Sequence, residues 1–155
     1  MTAAWVCNRR ALGLGAILLL LEGCFRKPAS APNTPMVKSF EATLSGAQEH
    51  PPINTPATGM AKATLDNYGT LTWYITYVGL SGPATAAHFH GPAAADSDAG
   101  VVVNIGAQGL DSPMKGSFDL NPGQIADLTA GRWYINLYTA AHSDDGEIRG
   151  QVVLV

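Results

Sequence analysis

Apolar and polar residues alternate in short runs along most of this chain, and the runs are punctuated by turn residues. The clearest lies at Thr70 to Val78, where Leu71, Trp73, Ile75 and Tyr77 interleave with Thr70, Thr72, Tyr74 and Thr76. A period of two is the signature of a strand with one buried face. Similar runs occupy Phe40 to Leu44, Gly59 to Leu65, Ala84 to His90, Val101 to Ile105, Met114 to Leu120, Trp133 to Tyr138 and Glu147 to Val155. Ser45-Gly46, Asp66-Asn67-Tyr68-Gly69 and Gly91-Pro92 close runs in the way turn residues do. Pro122 to Leu128 has the character of a short helical turn ahead of Gly131. About eight strands at this spacing, without a long helix, predict an all-β domain: a Greek-key, immunoglobulin-like sandwich.

The pattern changes at the amino terminus. Arg9 and Arg10 precede an apolar stretch from Ala11 to Leu21, which then meets Glu22-Gly23-Cys24. A basic start, an apolar middle and a small residue at the cut make a secretory leader. The apolar stretch is shorter than the ~20 residues of a spanning helix. Leu21-Glu22-Gly23-Cys24 resembles the bacterial lipobox, which implies a lipid on Cys24 and a leader over residues 1–23. Phe25 to Lys38 carries Pro28, Pro32 and Pro35 among Ala, Ser, Asn and Thr, so 24–38 reads as an extended tether. Residues 39–155 remain as the folded domain. The expected address is across the cytoplasmic membrane, lipid-anchored in the cell envelope. Phe25, in place of an aspartate after the cysteine, points to the outer membrane, facing the periplasm or the cell surface.

Composition narrows the function classes. The 155 residues carry a formal net charge of -3, and the seven Lys and Arg beyond residue 23 are scattered singly apart from Arg26-Lys27 in the tether. Nucleic acid is therefore not an expected partner. The only cysteines are Cys7 and Cys24, so the domain has no disulfide and rests on packing and sheet hydrogen bonds. No G-x-S-x-G, phosphate loop or cysteine nucleophile occurs within it. Binding, not catalysis, is the expectation, and no particular protein partner is indicated.

His88 and His90 are the sharpest chemical feature. Residues two apart on a strand project from one face, so both imidazoles share a side and Phe89 takes the other. Two neutral imidazoles that close suit copper, and after it zinc. Histidines bonding loop carbonyls beside Gly91-Pro92 would be the plainer outcome. Glu147 and Arg149 also share a face; they could orient a substrate or ligand, but a cross-strand ion-pair and hydrogen-bond network that fixes register is expected of them. Asp96, Asp98, Asp144 and Asp145 lie in loops without the spacing of a calcium site.

Glu49-His50-Pro51-Pro52, Ala87-His88-Phe89-His90-Gly91, Trp133-Tyr134-Ile135-Asn136-Leu137-Tyr138-Thr139 and Gly146-Glu147-Ile148-Arg149-Gly150-Gln151 together resemble the CHRD (chordin-type) domain over about residues 39 to 155. The resemblance implies a sandwich similar to that of Cu/Zn superoxide dismutase, in which an H-x-H pair supplies copper ligands. It also implies Asn-x-His-Thr where this chain has Asn136-Leu137-Tyr138-Thr139, so Tyr138 stands in the place of a third histidine. His142, four residues on, and His50, where the family carries an apolar residue, are the alternative donors. A copper-binding module is the leading expectation. A metal-free adhesion or protein-interaction domain and a copper-only superoxide dismutase-like enzyme are its rivals.

Overall fold

The computed structural model describes residues 37–155. The leader, Cys24 and all of the tether before Val37 lie outside them. Nine strands and one helix follow in chain order: β1 (Lys38–Ser45), β2 (Thr58–Leu65), β3 (Thr70–Val78), β4 (Ala84–His90), β5 (Val101–Asn104), β6 (Met114–Asp119), α1 (Pro122–Thr129), β7 (Tyr134–Thr139), β8 (Ile148–Gln151) and β9 (Val153–Leu154). The all-β expectation holds. The strands form one antiparallel sheet, in the order β5-β4-β7-β8-β1-β2-β3-β6, with β9 paired to β1. The sheet twists round until its two ends approach, so it is nearly a barrel and not two separate layers.

Gln108 spans the gap between those ends. It stands in a 3-10 turn (Ile105–Gln108) directly after β5. Its Nε2 donates to the Ser117 carbonyl at 2.9 Å, and its Oε1 accepts from the Ser117 N–H at 3.3 Å. One amide thus does for β6 what a neighbouring strand would do. The predicted run to Ile105 stops at Asn104 because the Asn104 side chain accepts from Ala107 N–H and starts that turn. The run Glu147 to Val155 is likewise split, since Val152 donates to the Trp133 carbonyl at 2.9 Å and β9 swings across to β1. Helix α1 is defined by local chemistry: Asn121 and Gln124 form a reciprocal capping box, with Pro122 in the first turn.

Alternation decides what enters the core. Leu71, Trp73 and Ile75 of β3 are buried, while Thr72 and Tyr74 face solvent. Trp73 meets Phe89 edge-on with ring centres 5.6 Å apart, and Phe89 meets Trp133 at 5.8 Å. This row of rings ties β3 to β4 and to the start of β7. Each such pair contributes about 0.5–1.5 kcal/mol beyond the area it buries. The same alternation sends the neighbours of the core residues on β4, β7 and β8 to the outer face.

At the carboxyl end, β9 pairs Leu154 with Phe40 and Val153 with Glu41, and the Val155 N–H reaches the Ser39 carbonyl at 2.9 Å. The last residues of the chain therefore lie against the first strand of the domain.

Candidate metal centre on the outer face

Ala87 and Phe89 point into the core, so His88 and His90 point out. Register places His90 beside Tyr134 and His88 beside Asn136 on β7, and Asn136 beside Arg149 on β8. Tyr134, Asn136 and Tyr138 are the outward members of β7, because Ile135 and Leu137 are in the core. An outward face would ordinarily be wet. Here the segments around residues 46–57, 92–100 and 140–146 fold over it, and Glu49, His90, Asn136, Glu147 and Arg149 are all buried.

Buried polar groups need partners, and these form two networks. In the first, the Arg149 guanidinium donates to Asp98 Oδ1 and to the Ser97 carbonyl, each at 2.6 Å, and lies 3.6 Å from the centre of the Tyr134 ring. The Tyr134 ring stacks in turn on His90, 4.9 Å away and only 7° from parallel. Asp98 also takes His50 Nδ1 at 2.9 Å on its other oxygen. The bond from His50, then those from Arg149, hold the Asp98 carboxyl below the usual carboxylate range. In the second network, Glu147 accepts from Ser81 Oγ (2.6 Å), Thr139 Oγ1 (2.7 Å), Ser81 N–H (2.8 Å) and Thr55 Oγ1 (2.9 Å). Burial opposes its ionisation, yet those donors outweigh burial and its carboxyl stays below its ordinary value. Glu147 and Arg149 thus each enter a network with partners from other segments, and not with each other. Each side chain holds down a different loop, because four hydroxyl and amide donors satisfy one and an aspartate satisfies the other.

Between the networks lies a polar cleft of about 250 Å³, lined by His50, His90, Asp98, Tyr134, Asn136, Tyr138, Asp144 and Asp145 among others. His90 Nδ1 faces the Ala99 carbonyl at 2.9 Å, which fixes the proton there, and Nε2 accepts from Tyr138 Oη at 3.0 Å. The His88 ring packs 5.6 Å from His90 and 5.4 Å from Tyr138. Its Nδ1 is buried without a hydrogen-bond partner. Burial is the first cause that lowers both histidines, and it keeps their rings neutral at pH 7. Burial likewise pushes the Tyr138 phenol up to about 12. His50 enters the cleft but is engaged by Asp98. His142 sits in the turn after β7, its N–H bonded to the Thr139 carbonyl at 3.1 Å, and does not line the cleft.

Among the described residues no group of three or more His, Cys, Asp and Glu is placed to hold a metal ion. The donor atoms that do meet are His90 Nε2 and Tyr138 Oη, with the His88 ring packed beside them. Adjacent ligand atoms on one ion, with bonds of about 2.0–2.1 Å, sit roughly 3 Å apart. The 3.0 Å between His90 Nε2 and Tyr138 Oη is that spacing. A cation entering there would displace the phenolic proton, since a bound ion lowers a ligand's pKa. Imidazole nitrogen and phenol oxygen are donors that suit a borderline cation, and the His88 ring lies beside both, outside the residues that line the cleft.

Sequence reasoning did not single out Glu49, Asn136 or Tyr134. Glu49 is the most unusual of them. Asn136 Nδ2 approaches its Oε2 at 3.3 Å and the Asp145 carbonyl at 2.9 Å, while Glu49 Oε1 has no partner. Burial raises this carboxyl to about 8, with Arg149 and the Asn136 bond only partly offsetting it. Gly146 is needed beside this group: its φ is +91° and a Cβ there would run into the Asn136 amide. The motif Glu49-His50-Pro51-Pro52 was the available signal, but nothing local says that its glutamate is buried.

Compared with known families, residues 40–152 match the model of the CHRD domain. No curated protein and no solved structure matches the chain.

Proposed function

The chain belongs to the CHRD domain family, and we propose that its domain takes up a transition-metal ion, copper before zinc, through His88, His90 and Tyr138. The observation behind this reading is the Tyr138 Oη–His90 Nε2 contact at 3.0 Å with the His88 ring packed beside both. When bound, copper would supply Lewis acidity and a one-electron couple. The residues themselves supply neutral imidazoles, a phenol whose proton can leave, and a rigid frame. That frame is the Ala99 carbonyl, which sets the His90 tautomer, and the Tyr134–Arg149 stack behind the ring. Four family motifs, separated in sequence, contribute to this one face of the sheet.

Calorimetric titration of the mature protein with Cu(II) and Zn(II) tests the proposal. Wild type should bind copper well above the level of a generic surface histidine pair. Removing His88 or His90 should weaken binding by far more than ten-fold, since a chelating pair supplies most of the preorganisation (order of magnitude). Tyr138→His should tighten it. Copper binding no stronger than that generic level overturns the metal reading. An interaction module whose motifs serve the fold then stands in its place.

The same reading has the domain carried in the cell envelope by a lipid on Cys24. With Cys24→Ser the protein should leave the detergent phase on partitioning. A variant that partitions as wild type does would show that the cysteine is not the anchor.

A further inference from the structure

The segments 46–57 and 92–100 meet β8 around a second cavity of about 230 Å³, with Gln48, Glu49, His50, Asp96, Arg149 and Gln151 in its wall. None of His88, His90 and Tyr138 lines it. Two oxygens of that wall, Glu49 Oε1 and Gln151 Oε1, are buried and accept no hydrogen bond. The Gln151 amide is not free to turn over, because its Nε2 donates to the Ala93 carbonyl at 3.0 Å and to the Gly131 carbonyl at 2.7 Å. Glu49 is only 3% exposed, and its other oxygen has the long 3.3 Å bond from Asn136. At the rim stands Asp96, which is exposed, accepts from Ser97 Oγ at 3.3 Å and enters no ion pair among the described residues. The side-chain N–H groups nearby donate elsewhere: Gln48 to the Thr43 carbonyl at 2.7 Å, and Arg149 to Asp98 and Ser97.

A wall with spare acceptors and committed donors calls for a ligand that only donates. We infer that this cavity binds a primary alkylammonium: its three N–H groups go to Glu49 Oε1, Gln151 Oε1 and the Asp96 carboxylate, and its alkyl stem lies against Ala47, Pro52 and Ala95, the apolar members of the wall. A metal dication suits the cavity less, since Arg149 stands in the wall and no three His, Cys, Asp and Glu among the described residues are placed to hold one. The charged groups facing Glu49 are Arg149 of β8, Asp98 of segment 92–100 and Asp145 of the turn after β7, with His50 beside it in the chain. Arg149 is matched by Asp98, so Glu49 and Asp96 are left to meet the charge of the ligand. Burial without a partner disfavours the Glu49 carboxylate, and an ammonium beside it restores that form. The proposed metal donors take no part, so this inference is independent of metal binding.

NMR titration of the isotope-labelled mature protein decides it. The probes are n-butylammonium, for a free amine, and Nα-acetyl-lysinamide, for a lysine side chain, and the tighter of the two identifies the source. Binding should shift the Gln151 side-chain amide signal. Tetramethylammonium, which has the charge but no N–H, should bind about ten-fold more weakly or worse. Glu49→Gln, which keeps the shape of the side chain, should weaken n-butylammonium about ten-fold or more. Asp96→Asn, at the exposed rim, should weaken it about two- to three-fold with the rest of the spectrum unchanged. The inference is overturned if neither amine shifts the Gln151 signal, if tetramethylammonium binds as well as n-butylammonium, if calcium ions bind there in preference, or if both variants leave the affinity unchanged.

Discussion

Ile75→Asp should remove a large part or all of the domain's stability, while Thr72→Asp, three residues earlier on β3, should fold and melt close to wild type. Ile75 is fully buried between β2 and β6, paired with Ala61 on one side and Met114 on the other. An aspartate there either buries a charge or takes up a proton, and loses the isoleucine's packing as well. The combined penalty is about 4 kcal/mol or more. A domain of this size has about 5–15 kcal/mol in total, and no disulfide holds the described residues together. Thr72 points the other way, to solvent, where substitutions change stability by about 0.5 kcal/mol. Far-UV circular dichroism and urea unfolding of the two variants give the comparison. Equal effects would mean that β3 is out of phase by one residue.

Glu49 should make the protein less stable as pH rises from 5 to 9, and Glu49→Gln should remove that decline. The carboxyl titrates near its ordinary 4.5 in the unfolded chain and at about 8 when folded. Its folded pKa is raised, so its contribution is fully present below 4.5 and is lost as pH climbs through 8. Each unit of pKa difference corresponds to ~1.4 kcal/mol. With relaxation around the carboxylate, a fall of about 2–4 kcal/mol between the two pH values is expected. His88 and His90 act in the opposite sense. Their folded values are lowered, so their contribution is present above 6.5 and lost as pH falls below it. Wild type should therefore be most stable near the middle of the range. Glu49→Gln should keep the acidic limb and lose the alkaline one in urea titrations across pH. Parallel curves for the two proteins would mean that Glu49 is ionised in the folded state and partnered in a way not described above.

The contrast between these two sites matches what the sequence could carry. Ile75 and Thr72 are legible because a period of two reports which face a residue takes, and β3 and β4 run over the spans that alternation predicts. His88 and His90 share a face for the same reason. Register across the sheet is a different kind of information. Nothing near Gln108 announces that its amide will bind Ser117, so closure toward a barrel could not be distinguished from a two-layer sandwich. Glu49, Ser97, Asp98 and Ala99 reach the outer face of β7 and β8 from loops 35 to 87 residues away in sequence from the partners they meet there. Their burial depends on how those loops fold back. That Glu147 and Arg149 enter polar networks was legible, and the identity of their partners was not, on the same ground. Spacing put them on one face, and partners from distant loops then drew them apart.

The closeness of Val155 to Ser39 has a consequence for the connectivity of the domain. Because Val155 bonds to Ser39 and β9 lies along β1, a short peptide could join Val155 to the start of β1 without disturbing a strand pair. New ends could then be opened in the exposed turn at Ser143–Asp144. The order in which the gene supplies the strands is thus separable from the order in which they stand in space, and the domain is a candidate for circular permutation.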